Sequence, residues 1–408
     1  MAQQKWTDAF LDEMHQTGDP LADHTVQTLF EQGEVDAVNR LLANLIRNDQ
    51  IVPADLPPVV RKYLEQSAAL PDWADPKQIT QGEEVFRDYG LIAFSVLGCA
   101  SLPACYSAGD AAKVLWLTQR LEQHVTRRLV ETTQMVIDVM SGGGLQPGGK
   151  GIRAAQKVRL MHAAVRHLIL MNPQAGAPGA APKNFADVLI SHPWNTEKWG
   201  APINQSVMAG TLLTFSYVIL RGLRTFGVAL KPEQEDAYLH TWNVVGHIMG
   251  VREEFLLNAM TYADAERLFE TILARNRAES AEAKALMQAL LGFMEGTIKR
   301  KVPLGNLVYV RHIPKMLILD LMGEDTARLL GISLDWRDRL AQFPLALLMW
   351  ALGRIEEDTY ADLSASHRLA EWLFRQMAAD MWELPRGGER DLFYIPTHLA
   401  TSWGVSTA

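Results

Sequence analysis

The chain has 408 residues, 48% of them hydrophobic, and a formal net charge of -8. That is ample apolar material for a large packed core, and an acidic balance that argues against nucleic acid or an anionic membrane surface as partner. The only two cysteines, Cys99 and Cys105, fit neither a zinc spacing nor a disulfide framework and read as reduced core thiols.

The N-terminus, MAQQKWTDAFLDEMHQ, has no basic start followed by an apolar run. No window offers ~18 uninterrupted apolar residues. The richest, VMAGTLLTFSYVIL (207 to 220), is broken by Thr, Ser and Tyr. A soluble, cytoplasmic protein without stable membrane insertion is therefore expected.

Apolar residues recur at helical intervals in 24 to 46, in PPVVRKYLEQS and through 111 to 140. SGGGLQPGGKG (141 to 151) then separates that run from a helix over 152 to 171. NPQAGAPGAAPKN (172 to 184) reads as a loop. A long helix over 202 to 227 ends in glycine, and one over 231 to 250 starts at proline and also ends in glycine. Further helices are expected near 262 to 276, 280 to 299, 314 to 331, 335 to 353 and 361 to 381. NLVYV (306 to 310) is the one strand-like pattern, and a weak one. The pattern implies an all-α fold, a single large globin-like helical domain over 85 to 385. An N-terminal helical segment (1 to 84) packs on it and a tail (386 to 408) follows.

Two segments carry chemistry. In VRLMHAAVRH (158 to 167) each helical residue advances about 100°. Val158, Val165 and Ile169 thus fall to one side of His162, and Arg159 and Arg166 to the other. A core histidine bonded to a carbonyl is one reading. A b-type haem is the other: neutral imidazole for the iron, apolar contact for the macrocycle, arginines for the propionates. His167 points away from His162, and His240 and His247 lie too far apart along one face to share an ion.

In RRLVETTQM (127 to 135), Arg128, Glu131, Thr132 and Met135 share one helix face. An intrahelical Arg–Glu pair with a back-bonded threonine is the structural explanation. Alternatively, the glycine-rich loop folds this helix back beside the histidine helix as an αα-hairpin. A flat cofactor would then lie between them, with His162 on one side and Arg128, Glu131, Thr132 and Met135 on the other. An arginine and a hydroxyl there suit the polarisation of dioxygen, and a carboxylate suits the movement of a proton.

YGLIAFSVLGCASLPACYSAGDAAKVL (89 to 115), RRLVETTQMV, VRLMHAAVRH and WGAPINQ (199 to 205), in this order and spacing, resemble the latex clearing proteins and their oxygenase relatives. The resemblance runs from about residue 85 to at least 255, and more faintly through VRHIPKMLILDLMG (310 to 323). It implies an all-α, b-type haem protein that splits carbon–carbon double bonds with dioxygen. By the same resemblance His162 is the proximal iron ligand, and Arg128 and Thr132 lie on the distal side. Glu131 stands where some members carry a lysine able to bind the iron. Ala112 falls near the place of the family's distal glutamate, which leaves Glu131 or Asp110 for that proton role. Without an export signal, the substrate expected is a small isoprenoid or other unsaturated lipid rather than polyisoprene. The implied activity is a haem b-dependent oxygenase of dioxygenase type. A haem sensor or storage protein and a haem peroxidase are the alternatives. The peroxidase ranks lower, since His124, one turn before Arg128, is the nearest histidine on that side. WGAPINQ also has a plain structural reading, a proline at a helix start after a tight glycine turn, with Asn204 and Gln205 capping nearby backbone. Arg311 either approaches the cofactor or makes a surface ion pair.

Overall fold

Proline opens three of the first four helices, at a position where its missing N–H has no partner to lose. They are α1 (Asp8–Gln16), α2 (Pro20–Glu31), α3 (Pro58–Ala68) and the long α4 (Pro76–Val96). Side-chain caps assist: Thr7 Oγ1 accepts the Phe10 N–H at 3.2 Å and Asp75 Oδ1 the Lys77 N–H at 2.9 Å. The computed structural model describes residues 6–32, 56–117, 125–171, 194–257, 259–301, 312–336 and 338. Every regular element among them is helical, with a lone bridge between Ala108 and Arg277.

One π-helical turn (Leu97–Ser101) leads from α4 into α5 (Leu102–Ser107), and α6 (Gly109–Leu117) follows. Next come α7 (Val125–Met140) and α8 (Lys150–Met171). After a short α9 (Thr196–Trp199) stand α10 (Gln205–Phe215), α11 (Tyr217–Thr225) and α12 (Pro232–Ile248). The last described helices are α13 (Glu253–Leu256), α14 (Tyr262–Asn276), α15 (Ala281–Lys301) and α16 (His312–Leu329).

The centre of the fold is the pair α4 and α12, which touch along much of their length. Gly82 permits this approach, because a Cβ there would come within 2.2 Å of Thr241 Oγ1. Around the pair lies the main core, with Val85, Val96, Tyr238 and Trp242 all buried. A second core seals α8 against α2 and α3, where Leu160, Ala163, Ala164 and Leu168 meet Val26, Leu29, Val60 and Tyr63.

Two expectations need correction. The helix over 202 to 227 is broken at Ser216, whose backbone leaves helical geometry (φ -109°, ψ -81°). The break is satisfied from outside: Ser101 Oγ donates to the Thr214 carbonyl at 2.6 Å and the Tyr238 hydroxyl to that of Phe215 at 3.3 Å. The boundary expected at 84/85 falls inside α4, an unbroken helix, and Trp6, Leu11 and Met14 belong to the main core. Of the run over 111 to 140, α6 and α7 are described and 118 to 124 lie outside the described residues. Also outside are 33 to 46, the loop 172 to 184, NLVYV, Arg311, nearly all of the helix expected near 335 to 353, the helix expected near 361 to 381, and the tail from 386. The stretch Gln205–Thr225 is long and apolar enough to cross a membrane, yet 72% of that window is buried inside the protein.

Candidate functional site

The loop between α7 and α8 reverses the chain through glycines. Gly143 and Gly148 have φ of 81° and 76°, a left-handed geometry that side chains resist. The Gly144 carbonyl accepts both the Gly151 N–H at 2.9 Å and the Ile152 N–H at 3.3 Å, which starts α8. Glu83 on α4 pins the turn by accepting the Gly143 N–H at 3.1 Å. The expected αα-hairpin forms, and α7 lies along α8.

Near the loop the hairpin is closed: Val136, Val139 and Met140 bury themselves in the same core as Ile152 and Ala155. Farther along, α8 is closed again. Val165 (4% exposed) and Ile169 (3%) pack with Val114 and Leu117 of α6. Between these two stretches, on the same stripe, Val158 and His162 are only half-buried. The His162 ring nevertheless keeps its Nδ1 atom away from solvent.

Counting residue for residue away from the loop, with about 1.5 Å of rise for each, brings Arg128 and Leu129 of α7 abreast of His162. Thr132 and Met135, nearer the loop, are half-buried. Glu131 is exposed, so the carboxylate expected to move a proton inside the site sits on the solvent side of α7. The Arg128 side chain lies outside the described residues, as does His124.

Arg159 and Arg166, expected at propionates, are engaged elsewhere. Arg159 forms a two-point pair with Asp19, Nε to Oδ2 at 2.6 Å and Nη2 to Oδ1 at 2.8 Å, and donates to the Ile248 carbonyl at 3.1 Å. Arg166 donates to the carbonyls of Pro202 and Ile203, at 2.9 and 2.8 Å, and pairs with Asp23. Burial pushes the Asp23 carboxyl above its ordinary value, with Arg166 opposing the shift. Both guanidiniums are buried, and both carboxylates come from α2. Sequence reading missed these pairs; the one signal was two acids at the start of α2, Asp19 as its N-cap and Asp23 in its first turn.

WGAPINQ is the turn that Arg166 holds. Ile203 takes a left-handed φ of 51°, rare for a branched side chain, and its carbonyl is one of the two that Arg166 grips. Asn204 caps α10 by accepting the Val207 N–H at 3.0 Å. Gln205 donates to the carbonyls of Gly18 and Gly250 at 2.8 and 2.9 Å. The glycine turn and the capping expected of that motif are found, but Pro202 lies in the turn and the helix starts at Gln205.

Asp110 does not reach the hairpin. It lies one turn before Val114 near the start of α6, in a cleft beside His15 of α1. Ala112 is fully buried in the main core. Cys99 and Cys105 are both free. His167 stacks on Phe30 of α2 at 4.5 Å, away from His162. No cluster of three or more His, Cys, Asp or Glu able to hold a metal ion occurs among the described residues.

This arrangement is an all-helical fold in which a half-buried histidine, His162, lies on the α8 stripe that runs along α7. Residues 90–354 match the family model described as ER-bound oxygenase mpaB/B'/Rubber oxygenase, catalytic domain, and the chain belongs to that family. It is similar to the rubber oxygenase of Streptomyces sp. (strain K30), 27% identical over 281 residues, which are 68% of this chain and 63% of that protein's length. The fold is similar to that of latex clearing protein LCP solved in the closed state, with a TM-score of 0.71 and 23% identity. That likeness covers 94% of this chain and 95% of the solved one.

Proposed function

We propose that this chain is a haem b-dependent oxygenase that uses dioxygen to split a carbon–carbon double bond of an isoprenoid into two carbonyl products. The observation that carries the reading is His162, half-buried between two tightly packed stretches of α8 and facing the helix that bears Thr132. The residues present suit the group. His162 offers an imidazole nitrogen, Val158 and Met135 offer apolar contact, and Thr132 offers a hydroxyl from the facing helix. When bound, the haem would supply a redox-active iron able to activate dioxygen.

The chain's own part is to hold, orient and exclude water. Arg159 and Arg166 fix α8 and with it the histidine. Arg128 and Thr132 would donate hydrogen bonds toward negative charge developing on oxygen, the kind of contact worth most in a dry site. Apolar flanks would seat the alkene and keep water out. The propionates would be met by groups other than Arg159 and Arg166, whose donors already serve Asp19, Asp23 and main-chain carbonyls. The name of the Streptomyces relative supports polyisoprene or a shorter isoprenoid as the substrate class.

The test is the absorption spectrum of the purified protein, wild type against His162→Ala. The wild type should show a Soret band, and the variant should lose it while its circular dichroism is unchanged. A folded variant that keeps its haem moves the ligand elsewhere. Incubation with a short unsaturated isoprenoid under air should yield carbonyl-ended fragments; bound haem without them would indicate a non-enzymatic sensor or store.

A further inference from the structure

Helix α6 has two ends with different duties. Val114 and Leu117 pack on α8, while Gly109, Asp110 and Lys113 line a cleft of about 640 Å³ bounded by α1, α9 and the turn between α14 and α15. Asp110 has only 7% of its side chain exposed. Its Oδ1 accepts the Ala111 N–H at 2.8 Å. Its Oδ2 is buried without a hydrogen-bond partner, and the His15 ring stands 3.9 Å away. Burial pushes the carboxyl above the usual carboxylate range, against the opposing pull of the Ala111 N–H, the His15 ring and the Asn204 amide. An acceptor left in this state costs free energy unless a donor arrives.

The other acids lining the cleft already have cations: Asp12 pairs with Arg275, Glu279 with Lys284, and Glu282 with Lys113 at 3.1 Å. Two lining cations are in the converse position. Lys198 lies 5.7 Å from the centre of the Trp199 ring, and Arg277 donates to Thr326 Oγ1 at 2.7 Å. Neither has a carboxylate partner among the described residues. One acid lacks a donor and two bases lack an acid, around a single cavity.

We propose that this cleft binds a small amino-acid-like zwitterion, its ammonium group donating to Asp110 Oδ2 and its carboxylate meeting Lys198 and Arg277. Charge-assisted hydrogen bonds at a buried carboxylate give the ammonium end most of the selectivity. The site stands apart from the hairpin and does not depend on the oxygenase reading.

The test is calorimetric titration of the full chain with the straight-chain amino acids from glycine to aminohexanoate, alongside the amine, alcohol and carboxylic acid of each length. At least one amino acid should bind more tightly than its three single-ended analogues. Asp110→Asn, which keeps an acceptor for the Ala111 N–H, should weaken that binding about ten- to a hundredfold. It should melt no lower than the wild type, because it removes an uncompensated buried charge. Lys198→Ala, at an exposed position, should bring the amino acid's affinity down toward that of the plain amine. The proposal fails if no member of the series binds at about 10 mM, if Asp110→Asn binds equally well, or if the alcohol matches the amino acid. Should Asp110→Asn not fold, the Lys198→Ala result decides: an unchanged preference for the amino acid over the amine overturns the two-ended site.

Discussion

One edge of α8 is satisfied by the protein itself, while on the neighbouring stripe Val158 and His162 are half-buried. Arg159 and Arg166 give their donors to Asp19, Asp23 and main-chain carbonyls, so the basic edge is satisfied from within. His162, within about a turn of each, is half-buried on the stripe that runs along α7. The difference teaches which of these polar groups is structural. Arginines beside a histidine suggest one ligand set for a cofactor; in the fold the arginines anchor the helix, and only the histidine keeps the role proposed for it.

The sharpest way to break that contrast is to remove each partner in turn. Arg159→Ala leaves Asp19 buried without its cation, a loss of about 3–5 kcal/mol by analogy with other broken buried pairs. His162→Ala removes a half-buried ring and should change stability by less than about 1 kcal/mol in protein freed of any cofactor. Urea unfolding of both variants measures this. If His162→Ala is as destabilising as Arg159→Ala, the histidine is a core residue and the contrast disappears.

Much of the fold was readable because local chemistry marked it. Prolines at 20, 58, 76 and 232 stand at helix starts, and the helix read over 262 to 276 is Tyr262–Asn276 as found. The hairpin followed from six glycines between two amphipathic runs. The break at Ser216 was hidden because apolar residues continue across it, and the hydroxyls that satisfy it come from Ser101 and Tyr238. The partners of Arg159 and Arg166 were hidden for a related reason: they lie 140 and 143 residues away. A helical projection also set Glu131 beside Arg128 and Thr132, but could not show where the buried stripe of α7 ends. His162 was legible because no local role explained it.

His240 is a histidine with one nitrogen bonded inside the protein and its Nδ1 buried without a hydrogen bond, and its titration sharpens the comparison. It is buried, and its Nε2 accepts the Asp75 N–H at 2.9 Å. Burial holds its pKa below the ordinary 6.5, with Asp75 pulling the other way. The unfolded chain therefore binds the proton first. Stability is complete above about pH 6.5 and is lost as pH falls through that value toward the lower folded one. Protonation also removes the lone pair that accepts from Asp75. The melting temperature should drop on acidification, and His240→Gln should flatten the slope, since an amide oxygen accepts the same N–H without titrating. An unchanged slope would assign the loss to His167 and His247, which burial shifts in the same direction.

The smallest effect belongs to Glu131, the residue on α7 that the resemblance made a candidate base. A carboxylate on the solvent side is well hydrated, and its charge is screened from a reaction on the inner stripe. Glu131→Gln should leave stability within about 0.5 kcal/mol and isoprenoid turnover within about threefold, a barrier change below about 1 kcal/mol. Paired measurements of unfolding and product formation check both. A loss of about a hundredfold in turnover with haem still bound, the range typical of a lost general base, would put this carboxylate at the reacting atoms. The line between the open stripe and the solvent face of α7 would then have to be drawn one residue further round the helix.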